Sequence, residues 1–344
     1  MKTHCSVPAK LILSGEHAVV YQCPALSMAI DLQTHCWSEY QAGQPSSVTI
    51  ELVNFQQQQH FSFEEWHQQA SNIEDRYRQF EQKSAAIQTV LTQPFDLILN
   101  TLYHFESLCP LKQGKWYFKI QSNAPIGRGL GSSAAVILSL LSTLIKQHQL
   151  TLSDPDLLTL AQAIECRQHG QSSGIDPATL IYAGLLQYQA NQTIQPIDTT
   201  LLPSPLKAWI IDTGAPSSST GQCVAQVQLK HANDLALWER FSNTTKQIAN
   251  AWKGNENLKF KQGIRQNHLL LTQLGVVPEH IQTFIAELET RYDAAAKICG
   301  AGSLTGDNAG IVLCLSENRP DALCHEYDYS YQTVSVQRKG LTCD

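Results

Sequence analysis

The densest chemical signal in the chain is Gly127-Arg128-Gly129-Leu130-Gly131-Ser132-Ser133. Three glycines in five positions let the backbone turn its N–H groups inward and approach a ligand closely. A helix-forming run begins here, so its dipole and free N–H groups aim at the same point. Such a site wants an anion, and phosphate fits best. The string G-x-x-x-x-G-K-[ST] is absent, and Ser132 breaks the sixth position of G-x-G-x-x-G/A. Protein-kinase H-R-D and D-F-G strings are missing as well. The competing reading is a glycine turn closed by a serine cap. The glycines and paired serines together favour phosphate.

The surrounding elements must position that loop. Residues 6–14 alternate: Val7, Ala9, Leu11 and Leu13 share one face, and Lys10, Ile12 and Ser14 the other. This is a half-buried strand ended by Gly15. Strand-like runs follow at 25–40 and 46–53. The Gln-rich stretch 55–70 reads as solvated loop and helix surface. Helices are expected over 72–91 and 95–108, separated by Pro94. WYFKIQS at 116–122 alternates again. In the run after the loop, Val136, Leu140 and Leu144 form one stripe and Ile137, Leu141 and Ile145 its neighbour, the mark of a buried helix. Ser153 with Asp156 caps a helix running to about His169. A strand is expected at 180–189 and a proline-bearing linker at 190–205. A strand at 206–212, helices over 221–252, 256–273 and 279–296, and strands near 310–315 and 332–337 complete the pattern. This mixed order predicts an α+β fold, and the length predicts two domains, 1–195 and 196–344.

Composition narrows the function. The net charge is −6 and only 16% of residues are charged, so no basic excess argues for nucleic acid or an anionic membrane. Glutamine, at 35 residues, takes much of the polar share. The 10 cysteines are scattered without a CxxC pair, which predicts free thiols in a reducing compartment rather than a disulfide framework or a zinc site. MKTHCSVPAK has no apolar signal region, and no apolar run reaches the ~18 residues of a spanning helix. The expectation is a soluble cytoplasmic protein.

Three segments resemble the GHMP kinase superfamily and, within it, the mevalonate kinases. Lys10-Leu11-Ile12-Leu13-Ser14-Gly15-Glu16-His17-Ala18-Val19-Val20-Tyr21 is similar to the family's opening block. Pro125-Ile126-Gly127-Arg128-Gly129-Leu130-Gly131-Ser132-Ser133-Ala134-Ala135 is similar to its ATP phosphate loop. Gly300-Ala301-Gly302 with Gly306 and Gly310 is similar to its C-terminal glycine motif. Glu165, Gly170-Gln171-Ser172-Ser173-Gly174-Ile175-Asp176 and Asp212-Thr213-Gly214 fit between them.

The resemblance implies an N-terminal ribosomal protein S5 domain 2-like domain and a C-terminal ferredoxin-like domain. It implies transfer of the ATP γ-phosphate to the C5 hydroxyl of mevalonate, and a possible homodimer. The loop residues Pro125, Gly127, Gly129, Leu130, Gly131, Ser132, Ser133 and Ala134 would hold ATP, and Ser133 and Glu165 would hold Mg²⁺. Asp176 would take or orient the hydroxyl proton, with Lys10 as its partner stabilising charge in flight. Lys10, Glu16, His17, Asp176 and Thr220 would line the mevalonate site. Six of these residues have an ordinary alternative: Lys10 a lysine reaching water, Asp176 a turn aspartate, His17 a structural histidine, Ser133 and Thr220 helix caps, Glu165 a surface glutamate. Arg128 stands where the family favours a small residue, its charge aimed at phosphate or at solvent. Ser172 and Pro177 depart from the usual proline and asparagine, and Asp307 interrupts the last glycine run. Rival readings are another small-molecule GHMP kinase, such as a phosphomevalonate kinase with extra Lys/Arg for a second phosphate, and a non-catalytic metabolite-binding protein of the same fold.

Overall fold

A computed structural model describes residues 2–189, 194–197 and 202–344. Two sheets organise it. The first contains β1 (Lys2–Ser14), β2 (Ala25–Gln41), β3 (Ser47–Leu52), β4 (Gln57–Ser62), β5 (Lys115–Ser122), β6 (Leu185–Tyr188), β7 (Gln195–Ile197) and β12 (Thr342–Cys343). Their order is β12-β1-β2-β5-β3-β4, with β6 on β2 and β7 on β6. All pairs are antiparallel except β3 with β5. The second sheet contains β8 (Lys207–Asp212), β9 (Ala295–Ile298), β10 (Ile311–Ser316) and β11 (Ser330–Val334), in the order β11-β8-β10-β9. Counted along the chain this is 4-1-3-2, antiparallel throughout, the order of the expected ferredoxin-like unit.

Among the described residues ten α-helices pack around the sheets: α1 (Phe63–Glu81), α2 (Asp96–Phe105), α3 (Ser132–Gln147), α4 (Asp154–His169), α5 (Ile175–Tyr182), α6 (Thr220–His231), α7 (Leu235–Lys253), α8 (Asn257–Gln273), α9 (Glu279–Tyr292) and α10 (Asp321–Glu326). One core joins α1, α2 and α3 to the first sheet through Trp66, Leu99, Trp116, Phe118 and Leu141. The alternation of β8 and β10 then divides their side chains. Trp209, Ile211, Val312 and Cys314 enter a core with α6, α7 and α9. Ala208, Ile210, Ile311 and Leu313 enter another with Ala9, Leu11 and Leu13 of β1, so the two sheets share apolar interior. Among the described residues no helix is long and apolar enough to cross a membrane.

The structure corrects several expectations. β1 is buried on both faces beyond residue 7, and its register on β2 shifts at Pro8/Ala9, where a proline lacks the N–H that regular pairing needs. The Gln-rich stretch forms edge strand β4 and the start of α1, whose capping box is Ser62 with Glu65. Residues 180–182 end helix α5 instead of opening a strand. Helix α9 stops at Tyr292, where Asp293 turns left-handed (φ 46°), and β9 follows. The run 221–252 is two helices, α6 and α7. Cys5 and Cys343 form a disulfide across β1 and β12, and the other eight cysteines are free. The expected boundary at 195/196 falls within β7, which continues the first sheet, and β12 also returns to that sheet. Of the expected linker, 190–193 and 198–201 lie outside the described residues.

Candidate active site

The phosphate loop is built from both sheets. Lys10 N–H donates to Leu130 C=O (3.1 Å), which stitches the loop to β1. On its other side Gly129 lies against the C-terminal glycine motif: a Cβ there would sit 2.4 Å from Cys299 C=O, so only glycine allows this approach. Gly131 is the N-cap of α3, in left-handed conformation (φ 74°) and with no side-chain cap. The serine-cap reading is therefore overturned. The N–H groups of the first helical turn point out of α3 without a capping side chain, as an anion site requires. A Cβ on Gly131 would also meet Lys10 Cγ at 2.9 Å. Leu130 and Ala134 are buried, and neither lines the cleft in front of the loop. Pro125 lies apart, in a depression with Asp212 and Ile311.

A cleft of about 230 Å³ opens in front of this loop, and Lys10, Glu16, His17, Gly127, Gly129, Gly131, Ser132, Ser133, Glu165, Asp176 and Thr220 all line it. The expected site residues on β1, α3, α4, α5 and α6 thus meet at one place. Lys10 Nζ lies 2.8 Å from Asp176 Oδ1; the lysine side chain is 3% exposed and the aspartate 24%. The lysine does not reach for water, because β1 is covered on this face by α5 and the loop. Asp176 sits in the first turn of α5, beyond the left-handed N-cap Gly174.

Glu165 is buried on the cleft side of α4. Ser172 Oγ donates to its Oε2 at 2.6 Å, and Ser133 also bonds it. Burial pushes this carboxyl up to about 8, with the negative charge of Asp176 adding to the effect. Ser133 is thus engaged with Glu165 rather than capping. His17 is buried, and burial lowers its imidazole to about 4. Its Nε2 is 3.0 Å from Ala301 C=O. A carbonyl only accepts, so Nε2 carries the hydrogen and Nδ1 is left as an acceptor. Glu16 pairs with Lys297, whose Nζ also donates to Ile12 C=O (2.9 Å) and Ile298 C=O (2.8 Å). Burial raises the Glu16 carboxyl against the pull of Lys297, and its Oε2 is buried with no partner. Thr220 opens α6, but the capping box belongs to Ser219 and Gln222, which leaves the Thr220 hydroxyl at the cleft.

Some features escaped the sequence reading. Lys297 is fully buried, and its only signal was a charge in the apolar string AAKICG. Ser172, read as a departure, is a hydroxyl donor to Glu165. His169 faces the cleft next to Lys10 and Asp176. Arg128 aims at neither phosphate nor solvent: its Nε donates to Asp212 Oδ1 at 2.9 Å. Asp307 is exposed and does not line the cleft. Across Gly127, Ser132, Ser133 and Gln168, the cleft adjoins a pocket of about 300 Å³ walled by Leu52, Phe55, Ile87, Leu97, Ile126 and Val136, with Asn54 and Gln88 as polar groups. A largely apolar pocket beside a phosphate loop has the makings of a nucleoside site.

Comparison with known proteins agrees with this geometry. Residues 96–184 match the family described as GHMP kinases N terminal domain. The mevalonate kinase of Thermococcus onnurineus is 29% identical over 315 residues, covering 88% of this chain and 87% of that protein. The crystal structure of the Methanococcus jannaschii mevalonate kinase shares the fold with a TM-score of 0.77 at 22% identity, covering 97% of this chain and 98% of that one. A Lactococcus lactis galactokinase complexed with galactose gives a TM-score of 0.76 at 15% identity, covering 99% and 95%. The family match lies over the loop, α3, α4 and α5 that help build the cleft, and over that stretch the chain is similar to the GHMP kinases.

Proposed function

We propose that the chain is an ATP-dependent kinase that phosphorylates the C5 hydroxyl of mevalonate to 5-phosphomevalonate, a step towards isoprenoids. The observation that carries the reading is the pairing of buried Lys10 with half-buried Asp176, 2.8 Å apart, in front of the uncapped N-terminus of α3. ATP would lie with its base in the apolar pocket and its phosphates on residues 127–134. The substrate hydroxyl oxygen attacks the γ-phosphorus, the bond to the β,γ-bridging oxygen breaks, and the hydroxyl proton passes to Asp176 as ADP leaves. Lys10 stabilises the charge that develops beside it.

Ser133 and Glu165 fit Mg²⁺: they are hard oxygen donors, and Glu165 is a buried carboxylate bonded by hydroxyls rather than by a lysine or arginine. When bound, the ion would neutralise phosphate charge. The acceptors His17 Nδ1 and Glu16 Oε2 suit a substrate hydroxyl, and the Thr220 hydroxyl suits the mevalonate carboxylate. The phosphomevalonate kinase reading needs further cations. Among the described residues lining the cleft, Lys10 is the one lysine or arginine, and it is already paired.

The proposal includes a cytoplasmic setting and a homodimer by resemblance. The deciding experiment incubates purified protein with ATP, mevalonate and Mg²⁺. ADP and 5-phosphomevalonate should form in equal amounts, and Asp176→Asn should remove the activity from a protein with an unchanged circular dichroism spectrum. Binding of ATP or mevalonate without turnover, over a panel of small alcohols, would leave a metabolite-binding protein instead.

A further inference from the structure

We propose that Arg128 and Asp212 form a latch that sets the position of the phosphate loop, making Arg128 a positioning residue for ATP rather than a phosphate ligand. The latch rests on the kinase reading above and deepens it. Arg128 lies between Gly127 (φ 71°) and Gly129 (φ 88°), a backbone with many alternatives open to it. Contacts outside the loop must select one of them, and they converge on Arg128. Its Nε donates to Asp212 Oδ1 at 2.9 Å. Its carbonyl accepts from Ile311 N–H at 3.2 Å. Gly310 packs so closely that a Cβ there would be 2.9 Å from the same carbonyl.

The anchor is firm. Asp212 and Ile311 are opposite each other in the β8–β10 ladder. Asp212 Oδ1 also accepts from Gly214 N–H at 2.9 Å. The neighbouring Thr213 holds Gly310 C=O through its N–H (3.0 Å) and its hydroxyl (2.8 Å). The loop is thereby fixed to the end of the second sheet, while Lys10 N–H fixes its other limb to the first. The Arg128 and Asp212 side chains are only 24% and 22% exposed, so solvent screens their attraction incompletely. Arg128 is absent from the cleft wall, to which Gly127, Gly129, Gly131, Ser132 and Ser133 contribute. The guanidinium therefore acts on phosphate only through the backbone it holds.

The test is calorimetric titration of wild type, Arg128→Met, Asp212→Asn and the double variant with ATP and, separately, with adenosine. Each single variant should weaken ATP binding about tenfold, or about 1.4 kcal/mol. The double variant should be no weaker than the singles, and adenosine affinity should hold. In turnover, KM for ATP should rise by a similar factor while kcat falls by less than about threefold. Exchanging the two charges, Arg128→Asp with Asp212→Arg, should restore part of the affinity. If Arg128→Met weakens ATP and Asp212→Asn does not, the arginine touches phosphate and the latch is wrong. Equal losses for ATP and adenosine, or no loss in either single variant, also overturn it. A wild-type protein that binds no ATP would instead remove the kinase reading, and the latch with it.

Discussion

Two buried lysines, each paired with a carboxylate, lie by the end of this chain's first strand, and they are built to opposite ends. Lys297 is fully buried and directs its Nζ to three acceptors, Glu16, Ile12 C=O and Ile298 C=O. An ammonium has three donors, so nothing remains for a ligand. Lys10 lies on the same strand system, yet its ammonium has one side-chain acceptor, Asp176, and both line the cleft. The absence of a Cβ at Gly131 keeps the space over Lys10 open. The same two residue types thus clamp two sheets together where the donors of the ammonium are all engaged and are poised for chemistry where they are not. Burial alone does not separate the two roles; the count of unspent donors does.

The comparison is broken most directly by removing one carboxylate or one ammonium. Asp176→Asn should lower kcat at least about a thousandfold, since it removes both the proton acceptor and the partner that orients Lys10. Lys297→Met should act on the fold instead. It leaves the Glu16 carboxylate buried without a cation, which costs about 3–5 kcal/mol. Thermal melting should show the larger drop for Lys297→Met, and turnover per folded molecule the larger drop for Asp176→Asn. Adding Glu16→Gln to Lys297→Met should return part of the stability, because the stranded charge is then gone. Equal melting losses with activity tracking only the folded fraction would erase the distinction.

Acid provides a gentler probe of the structural end of this region. His17 is neutral in the fold, with burial lowering it to about 4, whereas the unfolded histidine titrates near 6.5. Between these values the unfolded chain binds the additional proton. Stability is therefore full above about pH 6.5 and falls as the pH drops towards 4, by up to about 3 kcal/mol from this group. His268, lowered to about 4 mainly by burial, adds to the same limb. His17→Gln should flatten the acid side of a plot of unfolding free energy against pH. An unchanged slope would mean that His17 is protonated in the fold, and with it the assignment of Nδ1 as an acceptor would go.

How much of this was legible beforehand depended on whether the signal was local. The glycine loop, the alternation in β5 and the Ser153 cap of α4 are carried by neighbours in sequence, and they appear where expected. Strand β9 was hidden because Ala-Ala-Ala-Lys continues a helical pattern, and four residues buried on both faces show no alternation. Strand β4 offered one apolar residue, Phe61, after a run of exposed glutamines, too little to show alternation, and pairing with β3 makes it a strand. The Cys5–Cys343 pair spans 338 residues, so no spacing rule reaches it. Lys297 and Ser172 acquire meaning only when Glu16 and Glu165 fold back onto them. At the site, residue types were readable along the chain, but which valences are filled was not.

The smallest test repeats the contrast between adjacent hydroxyls at the start of α6. Ser219 has its oxygen engaged by Gln222 N–H, and the Gln222 side chain answers its own N–H, so both partners of the capping box are used. Thr220 is one residue on, exposed at the cleft and outside that box. Ser219→Ala should therefore cost about 1 kcal/mol of stability, read as a small shift in denaturant midpoint, with little change in KM for mevalonate. Thr220→Val keeps the shape and removes the hydroxyl; it should leave the midpoint nearly unmoved and raise KM for mevalonate by at least about tenfold, the value of one hydrogen bond to a charged group. If the two variants exchange these phenotypes, the substrate contact belongs to Ser219, and the rule that an unfilled valence marks the working residue fails at the position where it is easiest to measure.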